Sequence, residues 1–121
     1  MASIAIKRIY EPAQNSDGIR ILVDRLWPRG VAKDKANIDL WLRDIAPSDA
    51  LRKRFHGKPE AWDEFCSAYF DELKSAPAEA AKTLSERLAK GHVTLLYAAR
   101  DEQHNNAVAL KIWLDRHKTR R

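Results

Sequence analysis

Apolar residues along this chain alternate, run together or recur in threes and fours, and each rhythm predicts an element. In "SIAIKRIY" (3–10) Ile4 and Ile6 alternate with Ala5 and Lys7, and Ile9 falls on the second face, as in a strand. The unbroken run Ile21-Leu22-Val23 within "IRILVDRLW" (19–27) predicts a strand buried on both faces, ended by Pro28 and Gly30. "VTLLYAA" (93–99) predicts another. The middle reads as helix. Trp41, Leu42 and Ile45 share a face over "IDLWLRDIA", and Ser48 is a candidate N-cap for a short helix that "GKP" (57–59) breaks. Trp62, Phe65, Cys66, Tyr69, Phe70 and Leu73 then form the clearest helical stripe in the chain. After "KSAPA", a helix with Ala80, Ala81, Leu84 and Leu88 inward ends at Gly91 as its C-cap. A last helix follows "RDEQHN", with Ala107, Leu110, Trp113 and Leu114 toward the core.

Buried strands separated by helices predict an α/β fold: a small three- to four-stranded, mainly parallel sheet flanked by helices, in a single domain over residues 1–121. The eight-residue loop "EPAQNSDG" (11–18) favours an antiparallel partner for the first strand without forbidding a parallel return.

Composition narrows the class. A chain of 121 residues, 45% hydrophobic and 32% charged, is long enough for a real core and too apolar for wholesale disorder. No apolar run approaches a membrane span, and "MASIAIKRIYEP" has neither signal-peptide nor transit-peptide character, so the cytoplasm is the expected compartment. Cys66 is the only cysteine, which excludes an internal disulfide and a Cys-rich zinc site. Its place in the helix stripe predicts a structural, buried thiol. The net charge of +5 first suggests nucleic acid, but Lys118, Arg120 and Arg121 in "KTRR" supply three of those charges. A short basic tail suits a helix C-terminus on dipole grounds, which weakens the nucleic-acid case.

Candidate chemistry gathers where the two buried strands end. One ends in Asp24 and Arg25, the other in Arg100 and Asp101. In open parallel sheets ligands sit beyond the C-terminal strand ends, so neighbouring strands would bring all four charges to one rim, with Arg29, His104 and Asn105 joining from the following loops. The last helix begins there and points its positive dipole end at the rim. The excess of arginine forks suits an anionic small molecule, a phosphate or a carboxylate. In this reading Arg25, Arg29 and Arg100 hold the anion, with Trp27 and Asn105 as further ligand contacts. Asp24 or His104 is the candidate acid/base, and Asp101 orients a neighbour or caps the helix. His104 has two other readings, ligand contact and cap. The plainer alternative pairs Asp24 with Arg100 and Arg25 with Asp101 as structural ion pairs. Trp27 is a stacking platform or, by preference, a plug under the loop. Tyr97 is expected in the core, with its hydroxyl within reach of the rim.

Several chemistries are disfavoured. There is no Cys-x5-Arg loop and no rhodanese-like loop cysteine. Leu26 stands where an aspartate-nucleophile phosphatase needs a second Asp, and no Gly-rich phosphate loop is present. His56, His92, His104 and His117 are scattered, so no metal or cofactor is implied, and an ion held by Asp24, Asp101 and His104 is the weaker reading. Two rival functions remain: a nucleic-acid-binding accessory protein using the basic tail and rim arginines, and a non-catalytic regulatory or partner-binding module. The second would present an exposed aromatic patch at Trp41 or Trp113. Together, "RILVDRLWPRG", "WLRDIAPS", "LRKRF…W…F…Y…EL" and "VTLLYAARDEQHNNAVAL" resemble the YeaO-like bacterial family, a domain of unknown function, over about residues 4–115. The resemblance implies a small cytoplasmic α/β protein. It also implies that Asp24, Arg25, Trp27, Arg29, Arg100, Asp101, His104 and Asn105 occupy family motif positions.

Overall fold

A computed structural model describes residues 3–76 and 78–117. Four strands, β1 (Ile4–Arg8), β2 (Ile19–Leu22), β3 (Leu40–Trp41) and β4 (Val93–Tyr97), form one sheet in the order β1-β4-β2-β3. Every pairing is parallel, with Ile6 opposite Leu95 and Ile21 opposite both Leu95 and Leu40. The helices are α1 (Asp49–Phe55), α2 (Trp62–Lys74), α3 (Ala78–Lys90) and α4 (Asn106–His117). The basic tail, Lys118 to Arg121, lies outside the described residues.

The direction of β1 departs from the antiparallel preference. β1 and β2 flank β4 rather than each other, so the loop between them crosses the sheet instead of closing a hairpin. That loop is held by its own chemistry. Asp17 accepts from Lys7 Nζ and Arg20 Nη1, and its carbonyl accepts from Thr94 Oγ1 at 2.7 Å. Burial pushes the Asp17 carboxyl up, but bonds from the Gln14 N–H, Lys7 and Arg20 overcome it and hold the group below its ordinary value. Gly18 has φ +66, and a Cβ there would collide with the His92 carbonyl, so the crossing requires glycine.

The two faces of the sheet are covered differently. Ile21, Val23, Val93, Leu95 and Tyr97 face the main core, where all four helices pack through Leu51, Tyr69, Leu73, Leu84 and Leu110. On the other face Ile9, Leu22 and Leu96 lie under Trp27, Val31, Ile38 and Trp41. Among the described residues that side is covered by connecting segments and the edge of β3, not by the long helices. The stripe of α2 and the inward residues of α4 stand as read, as does the Ser48 cap, whose Oγ accepts from the Leu51 N–H at 3.1 Å. Ala81 is exposed rather than inward.

Residues 38–46 correct the helix expectation. Leu40–Trp41 is an edge strand, followed by a 3-10 turn over Arg43–Ile45. Trp41 packs in the loop-side cluster while Leu42 and Ile45 enter the main core. Trp41 and Leu42 therefore alternate across the sheet with period two, a pattern too short here to separate from a helical one. The Asp39 N–H donates to the Arg20 carbonyl and the Leu42 N–H to the Leu22 carbonyl, both at 2.9 Å, which fixes the segment on β2.

Candidate functional site

All four strands are parallel, so their C-terminal ends emerge together, and the chain places a cleft of about 760 Å³ beside them. Its lining includes every residue singled out from the sequence: Asp24, Arg25, Trp27, Arg29, Arg100, Asp101, His104 and Asn105. The other wall, built by the end of α1 and the start of α2, adds Arg52, Phe55, His56, Lys58, Trp62 and Phe65. The sequence reading did not connect this wall to the strand ends, because nothing local in residues 52–65 signals where the α1–α2 corner lands.

Asp24 sits on the floor and ties three elements together. Its Oδ2 accepts from the Ala98 N–H at 3.0 Å, and its Oδ1 accepts from Asn106 Nδ2 at 2.9 Å. Asn106 Nδ2 also donates to the Val23 carbonyl at 2.8 Å, and Trp41 Nε1 donates to the Asp24 carbonyl at 2.7 Å. Burial raises the Asp24 carboxyl above its ordinary value against the pull of Asn106, Ala98 and the more distant Arg52. Asn106 was absent from the sequence-based site. Its neighbour Asn105 is the amide that the sequence offers as a ligand contact, and only the packing of α4 shows which of the two turns toward Asp24. Arg8 gives further support, donating to the carbonyls of Ala98 and Ala99.

The ion pairs of the plainer alternative, Asp24 with Arg100 and Arg25 with Asp101, do not form among the described residues. Arg25 donates instead to the carbonyls of Pro47 and Ala46, at 3.1 and 3.2 Å, pinning the chain ahead of α1. Asp101 turns to its own loop, where one oxygen accepts from the Gln103 and His104 N–H groups and the other faces His104 Nδ1 at 3.0 Å. These backbone N–H bonds, with the His104 ring, hold the Asp101 carboxyl below its ordinary value. Asp101 does not cap α4. Asn105 does, accepting from the Val108 N–H at 2.9 Å, while its own Nδ2 donates to the Asp101 carbonyl. Buried Asn105 lies beside the Tyr97 hydroxyl, which does approach the rim.

Aromatic rings line one side. His104 meets Trp62 edge-on with centroids 5.3 Å apart, Trp62 stacks on Phe65 at 5.7 Å, and Phe65 meets Phe55 edge-on at 5.8 Å. Trp27 donates Nε1–H to the Val31 carbonyl and meets Trp41 edge-on at 5.4 Å. It thus plugs the loop-side core and also borders the cleft. Trp41 and Trp113 are both half-buried. Cys66 packs beside the core, away from the cleft, and burial raises its thiol to about 11.

Charge is concentrated here. Arg25, Arg29, Arg52, Lys58 and Arg100 line the cleft against Asp24 and Asp101. Three more cations lie in the last four residues, which leaves 14 Lys and Arg against 15 Asp and Glu everywhere else. Arg52 is bonded to Asp49 at 2.7 Å, whereas Arg29, Lys58 and Arg100 have no ion-pair partner among the described residues. Among the same residues no three His, Cys, Asp or Glu side chains group to hold a metal ion, and no helix is long and apolar enough to cross a membrane.

No solved structure matches the chain. The uncharacterized protein YeaO of Escherichia coli (strain K12) is 45% identical over 112 residues, covering 93% of this chain and 96% of YeaO. The uncharacterized protein Rv3073c of Mycobacterium tuberculosis (strain H37Rv) is 38% identical over 107 residues, covering 88% of this chain and 89% of its own. The family model described as "Inactive DUF488-N3 subclade" matches residues 3–121, and the chain belongs to that YeaO-like family.

Proposed function

We propose that the protein binds an anionic small molecule, one bearing a phosphate or carboxylate, in the cleft at the strand ends, and holds it without transforming it. One observation carries the reading: three cations with no ion-pair partner among the described residues, Arg29, Lys58 and Arg100, border one cleft in a chain that is almost neutral outside this cleft and its tail. Guanidinium forks and an ammonium suit phosphate or carboxylate oxygens. The start of α4 adds a positive dipole end.

Binding without turnover is favoured by what lines the cleft. No Ser, Thr or Cys is among its residues, so a side-chain hydroxyl or thiol nucleophile of the common kind is missing. The candidate catalytic groups are engaged, Asp24 with Ala98 and Asn106, Asp101 with its own turn, and His104 with Asp101 through Nδ1. The family's description as an inactive subclade agrees with this reading.

The test is a thermal-shift screen against inorganic phosphate, sulfate, nucleotides and carboxylates, with Arg100→Ala alongside. A ligand at 100 times its Kd adds about 2.7 kcal/mol of stability. A raised midpoint in wild type that disappears in Arg100→Ala is the expected result. A rise of equal size in both proteins, or none with any anion, would reject the proposal.

A further inference from the structure

An anion alone leaves two features of the cleft unexplained. The first is the aromatic wall. Trp62 and Phe65 are only half-buried, and with His104 they present a run of stacked and edge-on rings to a volume far larger than a phosphate fills. The cleft's size falls within the range of sites that enclose a whole small molecule, about 300–1,000 Å³. The second is Asp24. A carboxylate on the floor of an anion site repels the ligand unless the ligand also brings donors. Each Asp24 oxygen accepts one protein hydrogen bond, which leaves lone pairs on both, and no cation among the described residues is paired with the group.

We infer that the ligand is a nucleoside phosphate whose base edge carries adjacent N–H donors, as guanine does. This rests on the anion-binding reading and narrows it. The base lies against Trp62, its donor edge meets Asp24, and the phosphate reaches Arg29, Lys58 and Arg100. A guanine edge offers two neighbouring N–H groups to a carboxylate. An adenine edge would set a ring-nitrogen lone pair against one of the oxygens, so the cleft discriminates between them.

The experiment is calorimetric titration of the full chain with GMP, AMP and ribose 5-phosphate. GMP is expected to bind at least about tenfold more tightly than either of the others, the ratio of one hydrogen bond to a charged group or one stacked base. Equal affinity for GMP and ribose 5-phosphate would overturn the ring while leaving the anion reading standing. Equal affinity for GMP and AMP would overturn the role of Asp24. Absence of binding by all three at millimolar concentration would sink both readings. Trp62→Leu should weaken GMP about tenfold and leave ribose 5-phosphate unchanged, with Trp62→Phe restoring most of the loss. Equal weakening of both ligands in Trp62→Leu would mean that the ring supports the fold instead of the base, and would also overturn the inference.

Discussion

Replacing Asp24 by alanine tests the framework on which the site is hung. The change strands two donors, the Ala98 N–H and one hydrogen of Asn106 Nδ2, which now reach Asp24 at 3.0 and 2.9 Å. An unsatisfied buried donor costs about 1–3 kcal/mol, so two give ~2–6 kcal/mol. Asp24 is only partly buried, and its deletion also removes a carboxylate that burial disfavours. Both facts place the net loss near the lower end, about 2 kcal/mol, or a midpoint lower by roughly 8 °C in a domain of this size. Urea melts followed by circular dichroism measure the loss. The sign with pH is also fixed. The folded-state carboxyl titrates above its unfolded value, so charging it costs stability as pH rises from that unfolded value through the folded one. The gap between wild type and Asp24→Ala should therefore be widest below the unfolded value and narrow as pH rises through the folded one. A gap that widens as pH rises would show that the charged carboxylate is stabilised in the fold, and would refute the account of Asp24 as a desolvated acceptor.

Three further outcomes follow from the same geometry. Asn105→Ala should cost about 1–2 kcal/mol, because it removes the cap on the Val108 N–H and the bond to the Asp101 carbonyl, and hydrogen exchange at Val108 should accelerate. Arg100→Ala should change stability by less than about 0.5 kcal/mol in a urea melt, since its side chain is exposed and has no ion-pair partner among the described residues. Asp101 should titrate below 3.8 by carbon-detected NMR, so its contribution to the 101–104 turn is present above the unfolded value and lost as pH falls through the folded one.

Much of this arrangement is written in short-range pattern. The apolar stretches at 21–23 and 93–97 and the shared ending in adjacent Asp and Arg are enough to bring eight residues to one cleft. Parallel sheets make that inference possible, because strand ends are where loops and charges collect. What pattern does not carry is partner choice. Arg25 could reach a carboxylate or a carbonyl with the same fork, and only the course of residues 46–47 decides for the carbonyls. The Asn105-Asn106 pair shows the same limit: one caps α4 and the other holds Asp24, and helix phase alone separates them. The β3 segment is not legible locally, because two residues of alternation cannot outweigh the helical spacing of Trp41, Leu42 and Ile45. The far wall of the cleft depends on how α1 and α2 pack, a non-local outcome.

The most direct measurement is an amide NMR titration of the full chain with inorganic phosphate at low ionic strength. Shifts confined to residues 24–30, 56–62 and 98–106, saturating together and absent in Arg100→Ala, are the predicted result. Shifts confined to residues 118–121, or none at any site, would contradict the claim that the strand-end cleft binds anions.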